Sequence, residues 1–245
     1  MIALALIVLF AFAVETMAGF GATVITVTLA SHLFPISEVL SALVPVNMVL
    51  SGYLVVRYRR EVDWPIVRRR GLATMGAGVL VGLALYRMHG HEWMKAVFAA
   101  FVVVLSALEL VRLRRAPREA VAPLSVTART TALVAAGVIH GVFACGGPLL
   151  VYVLGREIGD KGRFRATLSA IWLLLNGALV ANLVLAGHLG RKSLQTSGVL
   201  LVSLGLGVFL GEQAHARLPE ARFRVTVFAL LLIAGASLLM RTLLA

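Results

Sequence analysis

Apolar stretches, most of them about as long as a membrane-spanning helix, follow one another through almost the whole chain. A helix needs about 20 apolar residues to cross roughly 30 Å of hydrocarbon. The residues are 60% hydrophobic and only 14% charged, which is far from the usage of a soluble domain. The sequence therefore predicts an all-α, polytopic membrane protein. Its ten predicted segments are 2–16, 19–34, 38–56, 71–88, 93–111, 129–144, 147–158, 167–187, 194–212 and 224–243.

The positive charge lies in the short loops between these segments. The net charge is +12, with 23 Lys and Arg residues. Basic loops that flank apolar segments are typical of cytoplasmic topology signals, so we do not expect a nucleic-acid partner. The lone cysteine, Cys145, excludes an intramolecular disulfide and a Cys-rich metal site. The N-terminus lacks a basic region before its first apolar run, so we interpret it as mature sequence.

An internal repeat relates the two halves of the chain. The longest polar connection, 112–129, divides the ten segments into five and five. GAGVLVG at 76–82 matches GLGVFLG at 205–211 with an offset of 129 residues, and AGFGAT at 18–23 matches FACGGP at 143–148 with an offset of 125. The second offset brings Glu15 onto His140. Since transporters are commonly built from duplicated halves, these matches predict a duplication.

The basic loops favour an inverted orientation of the halves. Inversion places 18 Lys and Arg on one side and 5 on the other, whereas parallel halves give 14 and 9. We predict transmembrane repeats at 1–112 and 129–245, joined by a basic cytoplasmic linker at 113–128. Inversion requires each repeat to open with a broken or re-entrant helical hairpin, at 2–34 and at 129–158.

Each hairpin turns at a glycine-containing tip, AGFGA at 18–22 or ACGGP at 144–148. The free N–H groups of a helix that starts at such a break favour an anion, although the glycines could equally serve close helix packing. Cys145 is either a small residue in a tight turn or a reactive thiol. The tips give five substrate-binding candidates, Gly19, Gly21, Cys145, Gly146 and Gly147.

Polar side chains inside the apolar segments give the remaining candidates. Asn47, Asn176, Ser41 and Ser169 could bond a substrate oxygen or hold helices together. Ionisable residues within a membrane segment are costly and suggest function, and histidine exchanges protons near neutral pH. We therefore consider Glu15 and His140 for proton coupling, against the alternative of local hydrogen bonds.

Glycines also recur along one pair of repeat-related helices. Because small residues let helices approach closely in a membrane, this pattern predicts tight packing. The stripe consists of Gly76, Gly78, Gly82, Gly205, Gly207 and Gly211.

Four segments together resemble the sulfite exporter TauE/SafE family. They are AGFGATVITVTLASHLFP at 18–35, LVPVNMVLSGYLVVRYRREVDW at 43–64, GVFACGGPLLVYVLG at 141–155 and FRATLSAIWLLLNG at 164–177. The resemblance implies a multi-pass permease of the bacterial inner membrane that exports sulfite or an organosulfonate. Its glycine-rich breaks correspond to Gly19–Gly21 and Gly146–Pro148. The first half departs from the pattern, because Ala22 and Thr23 replace a longer glycine run.

We therefore expect a secondary transporter that exports a small anion by alternating access at the hairpin tips, with proton coupling. No catalytic residue, metal or cofactor is expected, and the expected partners are the anion and the lipid bilayer, with a homodimer also considered. Two alternatives stay open. One is a membrane-embedded, thiol-dependent enzyme that uses Cys145, and the other is a non-transporting scaffold or assembly factor.

Overall fold

The computed structural model describes residues 1–18, 21–88, 92–114, 124–217 and 220–244, and these residues form helices and short connections without a strand. The first part of the chain forms α1 (Ile2–Ala18), α2 (Ala22–Ala30), α3 (Ile36–Arg57), α4 (Trp64–Ile66), a π-helix (Val67–Met75), α5 (Gly76–Met88) and α6 (Glu92–Arg114). The second part forms α7 (Val126–Phe143), α8 (Gly147–Leu154), α9 (Lys161–Leu185), α10 (Arg191–Arg217) and α11 (Glu220–Leu243).

Six of the described helices are long and apolar enough to cross a membrane, namely α3, α6, α7, α9, α10 and α11. The apolar part of α1, Ile2–Thr16, is shorter. A spanning helix satisfies all its backbone hydrogen bonds internally, which is why apolar runs of this length become helices in a bilayer. The predicted all-α, polytopic membrane fold is confirmed.

Both predicted hairpins contain a helix break. In the first, α1 ends at Ala18 and α2 begins at Ala22; in the second, α7 ends at Phe143 and α8 begins at Gly147. The short helices α2 and α8 have 9 and 8 residues. At 1.5 Å per residue each is about 12–14 Å long, which is less than half of the roughly 30 Å hydrocarbon thickness.

The basic stretch before segment 71–88 is helical, although its charges suggested a loop. The Asp63 side chain accepts a hydrogen bond from the Ile66 N–H at 3.2 Å and so caps the start of α4. The following turns are wider than in an α-helix, and the Thr74 hydroxyl donates to the carbonyl of Arg69, five residues earlier, at 2.9 Å. The arginines make this stretch polar, so its hydropathy does not reveal the helix. The start of the helix is instead set by the Asp63 cap.

The chain forms two compact units that each combine segments from both sequence halves. The first unit comprises Met1–Leu40, Gly90–Ala120 and Gly198–Ala245, and the second comprises Ser41–His89 and Val121–Ser197. The hairpin α1–α2 therefore belongs to the first unit and the hairpin α7–α8 to the second.

Glycines bring α5 and α7 into backbone contact within the second unit. A Cβ atom added to Gly78 would overlap the carbonyl oxygen of Val134, and one added to Gly82 would overlap that of Val138. The facing positions on α7 are themselves glycines, Gly137 and Gly141. The two helices thus touch through their main chains.

The first unit contains a corresponding contact between α1 and α10. A Cβ on Gly207 would lie 2.6 Å from the carbonyl oxygen of Leu9, and one on Gly211 would lie 2.6 Å from that of Ala13. The close packing predicted from the glycine stripe is confirmed at these four α5 and α10 positions. Gly205 has open space around its Cβ position.

We expect Gly82→Ala to destabilise the protein by about 1–3 kcal/mol, the usual range for overpacking a close contact. The added methyl would meet the Val138 carbonyl, which an α-helix holds in place. The measurement is the melting temperature of the purified protein in detergent. Gly205→Ala is the matched control because it adds the same methyl to a membrane helix with nothing within 4 Å. Equal melting temperatures for the two variants would contradict the packing argument.

Candidate functional site

The tip of the second hairpin is a tight, buried turn between α7 and α8. Ala144 has a left-handed backbone with φ +54°, and its N–H donates to the carbonyl of His140 at 2.7 Å, which ends α7. Cys145 and Gly146 follow, both buried. Cys145 is a free thiol and only 2% exposed, so it fills the turn.

Gly146 lies directly against α7. A Cβ at this position would overlap the carbonyl oxygen of Ala136 and would lie 2.9 Å from the Cβ of His140. The Met75 Cε, at the end of the π-helix, is 2.7 Å from the same point. Only glycine fits here, and its small size holds the start of α8 close to His140.

The first turn of α8 presents backbone donors without a side-chain cap. The N–H groups of Gly146, Gly147 and Leu149 have no acceptor within the helix, and Pro148, its second residue, has no N–H. Gly146, the N-cap residue, provides no capping side-chain hydrogen bond. Gly147, Pro148 and Leu149 are partly exposed, so a ligand could reach this turn.

His140 lies one helical turn before the tip and is 1% exposed. Its ring stacks on the indole of Trp172, with centroids 5.2 Å apart and planes inclined by 24°. Within the described part of the chain, neither ring nitrogen has a hydrogen-bond partner. Since buried polar groups are nearly always hydrogen-bonded, a water molecule or a ligand would satisfy these nitrogens.

Asn176 adds a second buried polar atom on α9. It is 4% exposed, and its Oδ1 has no hydrogen-bond partner among the described residues. Trp172 precedes it by four residues, so the two side chains share a face of α9. Sequence reasoning selected Asn176 but missed Trp172, although the four-residue spacing places an aromatic on the same face.

The other predicted polar residues of the second unit contribute to contacts between or within helices. Asn47 is buried on α3, at 7% exposure. Ser41 Oγ accepts a hydrogen bond from Ser193 Oγ at 3.0 Å, and Ser169 Oγ donates to the carbonyl of Arg165 at 2.9 Å. A substrate-binding role for these three residues stays a prediction.

An ion cluster fixes the far end of α8. The carboxylate of Glu157, three residues after α8, lies 3.4 Å from Arg70 on the π-helix and 3.4 Å from Arg129 on α7. All three side chains are less than a third exposed. This cluster anchors α8 opposite its uncapped N-terminus.

The tip of the first hairpin is built differently. Gly21 has φ +115°, a conformation that favours glycine, and precedes α2. The first N–H of α2, on Ala22, donates to Oε2 of Glu15 at 2.8 Å. Ala22 and Thr23 are buried. Gly19 lies outside the described residues.

No group of three or more His, Cys, Asp or Glu residues that could hold a metal occurs among the described residues.

Comparison with known proteins gives the family. The family model of the sulfite exporter TauE/SafE matches residues 4–238, nearly the whole chain. The "Probable inner membrane transporter protein TsaS" of Comamonas testosteroni is 24% identical over 180 residues, which cover 73% of each chain. No solved structure matches. Members of this family are transporters, which argues against the thiol-enzyme and scaffold alternatives. The chain therefore belongs to the sulfite exporter TauE/SafE family and is a multi-pass transporter of the bacterial inner membrane rather than an enzyme.

Proposed function

We propose that this transporter exports a small oxyanion, such as sulfite or an organosulfonate, by alternating access, and that the anion binds at the tip of the second hairpin. One observation carries the proposal. The uncapped N-terminus of α8 lies beside His140, a buried imidazole whose nitrogens have no partner among the described residues. A helix N-terminus attracts an anion, and a buried donor next to it would complete the coordination.

Each residue at this tip has a proposed role. The N–H groups of Gly146 and Gly147 would bind substrate oxygens, and His140 would donate a further hydrogen bond and carry the coupled proton. The Asn176 amide would contact the substrate from α9. Cys145 would shape the turn without reacting. Asn47, Ser41, Ser169, Gly19 and Gly21 stay predicted contributors, and assembly as a homodimer stays a prediction.

We further propose that the two halves arose by duplication, with the second inverted in the membrane and both hairpins re-entrant. Two packing contacts support the duplication. Gly78 approaches Val134 and Gly207 approaches Leu9. The two glycines are 129 residues apart and their partners 125, as in the sequence repeat. The inverted orientation is supported by the distribution of basic loops.

A thermal-shift screen of the purified protein tests the proposed ligand class. We expect sulfite or a sulfonate to raise the melting temperature, because a ligand that binds only the folded state stabilises it; sulfate, thiosulfate and a carboxylate are screened beside them. Asn176→Ala should weaken the response about tenfold or more in ligand concentration, as expected for a hydrogen bond to a charged group.

Asn182→Ala is the matched control for that screen, since Asn182 is also a buried asparagine of α9, at 7% exposure, but lies six residues further along. Its response to the anion should equal that of the wild type. The proposal fails if no anion raises the melting temperature, or if Asn182→Ala and Asn176→Ala weaken the response equally.

A further inference from the structure

The first hairpin already holds a carboxylate at the position where the second would bind an anion. Oε2 of Glu15 accepts the first N–H of α2 at 2.8 Å, seven residues along the chain. A negative charge at a helix N-terminus is stabilising, since it pairs with the free N–H groups and with the positive end of the helix dipole. The Glu15 carboxylate therefore occupies the place at the N-terminus of α2 where an external anion would bind.

The second hairpin has no such carboxylate. His140 occupies the corresponding place, seven residues before Gly147, the first residue of α8. A neutral imidazole carries no negative charge to pair with the helix dipole, but one of its ring nitrogens can donate a hydrogen bond to an anion bound there. The start of α8 is also partly exposed, whereas Ala22 and Thr23 are buried.

We propose that Glu15 is a built-in anion that occupies the N-terminus of α2 and excludes external anions from it, so that the substrate is bound only at the N-terminus of α8. The first clause, that Glu15 occupies the N-terminus of α2, stands on the bond between Glu15 and Ala22. The second clause, that the substrate binds only at α8, rests on the proposed function. A carboxylate and a substrate anion cannot share the same N–H group, and their like charges repel. Glu15 thus determines which hairpin takes the substrate.

Chemical rescue of Glu15→Ala with formate tests the first clause. The substitution removes the carboxylate and leaves both the Ala22 N–H and a space reachable from the surface, because Glu15 itself is partly exposed. We expect 100 mM formate to raise the melting temperature of Glu15→Ala by about 2–4 °C. Wild type and Glu15→Gln should not respond, because in each a side chain still fills the space and its oxygen still accepts from Ala22.

If Glu15→Ala does not fold in ordinary buffer, recovery of folded protein when formate is present during purification would support the proposal equally. An Ala variant that shows no response to formate, or an equal response in Glu15→Gln, would overturn it. Neither result depends on whether the protein transports sulfite.

His140→Glu tests the second clause by giving α8 a carboxylate at the place that Glu15 holds before α2. We expect this variant to lose the melting-temperature response to sulfite, while His140→Gln, uncharged and of similar length, keeps part of it. Retention of a full response in His140→Glu, together with its loss in Asn176→Ala, would overturn the inference and leave the proposed function standing.

Discussion

His140→Ala is expected to lower pH-gradient-driven flux in proteoliposomes about ten- to hundredfold, the range that corresponds to one lost hydrogen bond to a charged group. Its effect on stability should be smaller. Because neither ring nitrogen has a partner among the described residues, the substitution leaves no described donor or acceptor unsatisfied. What it removes from the fold is the stack on Trp172. The measurement compares flux at several imposed pH gradients with the melting temperature of the same preparation.

His140→Phe separates the two contributions of this side chain. A phenyl ring can keep the contact with Trp172, at 5.2 Å between centroids in the wild type, but can neither bond an anion nor carry a proton. We expect its melting temperature to lie near that of the wild type and its flux to be as low as that of His140→Ala. Unchanged pH-dependent transport in either variant would remove His140 from the mechanism.

The helices were predictable from sequence because a bilayer offers the backbone no other partner. Each of the ten apolar segments contains a helix in the described part of the chain, and the break at 144–148 was visible because Gly147 and Pro148 together favour a new helix start. The exception is the π-helix that begins at Val67, where arginines mask a helix that is set by the Asp63 cap. Hydropathy detects burial in lipid and not capping.

The candidate site was only partly predictable. Sequence selected His140, Gly146 and Asn176 from their chemistry inside apolar runs, and pairing the halves related Glu15 to His140. The stack of His140 on Trp172 joins residues on α7 and α9, and the bond from Ala22 to Glu15 crosses the first tip. Both depend on how helices pack, which loose apolar and glycine patterns do not specify.

Among substitutions that add one methyl group at the tip, Gly146→Ala is expected to lower flux and stability the most. The new Cβ would overlap the carbonyl oxygen of Ala136, which belongs to the backbone of α7 and cannot turn aside. The start of α8 would have to move away from His140, so we expect flux to fall at least about tenfold. The loss of stability should be about 1–3 kcal/mol, or roughly 3–10 °C in melting temperature.

Two comparisons decide whether the backbone contact is the cause. Gly159→Ala adds the same methyl after α8 with nothing within 4 Å, so its flux and melting temperature should match the wild type. Met75→Ala removes the flexible side chain that would also meet the new methyl, at 2.7 Å, but leaves the Ala136 carbonyl in place. Relative to the single variant Met75→Ala, the double variant Met75→Ala, Gly146→Ala should therefore still show the at least roughly tenfold lower flux. If the double variant regains transport, the Met75 side chain and not the Ala136 carbonyl limits the space at the tip. In that case the N–H groups of α8 are not held against α7, as the proposed anion site requires.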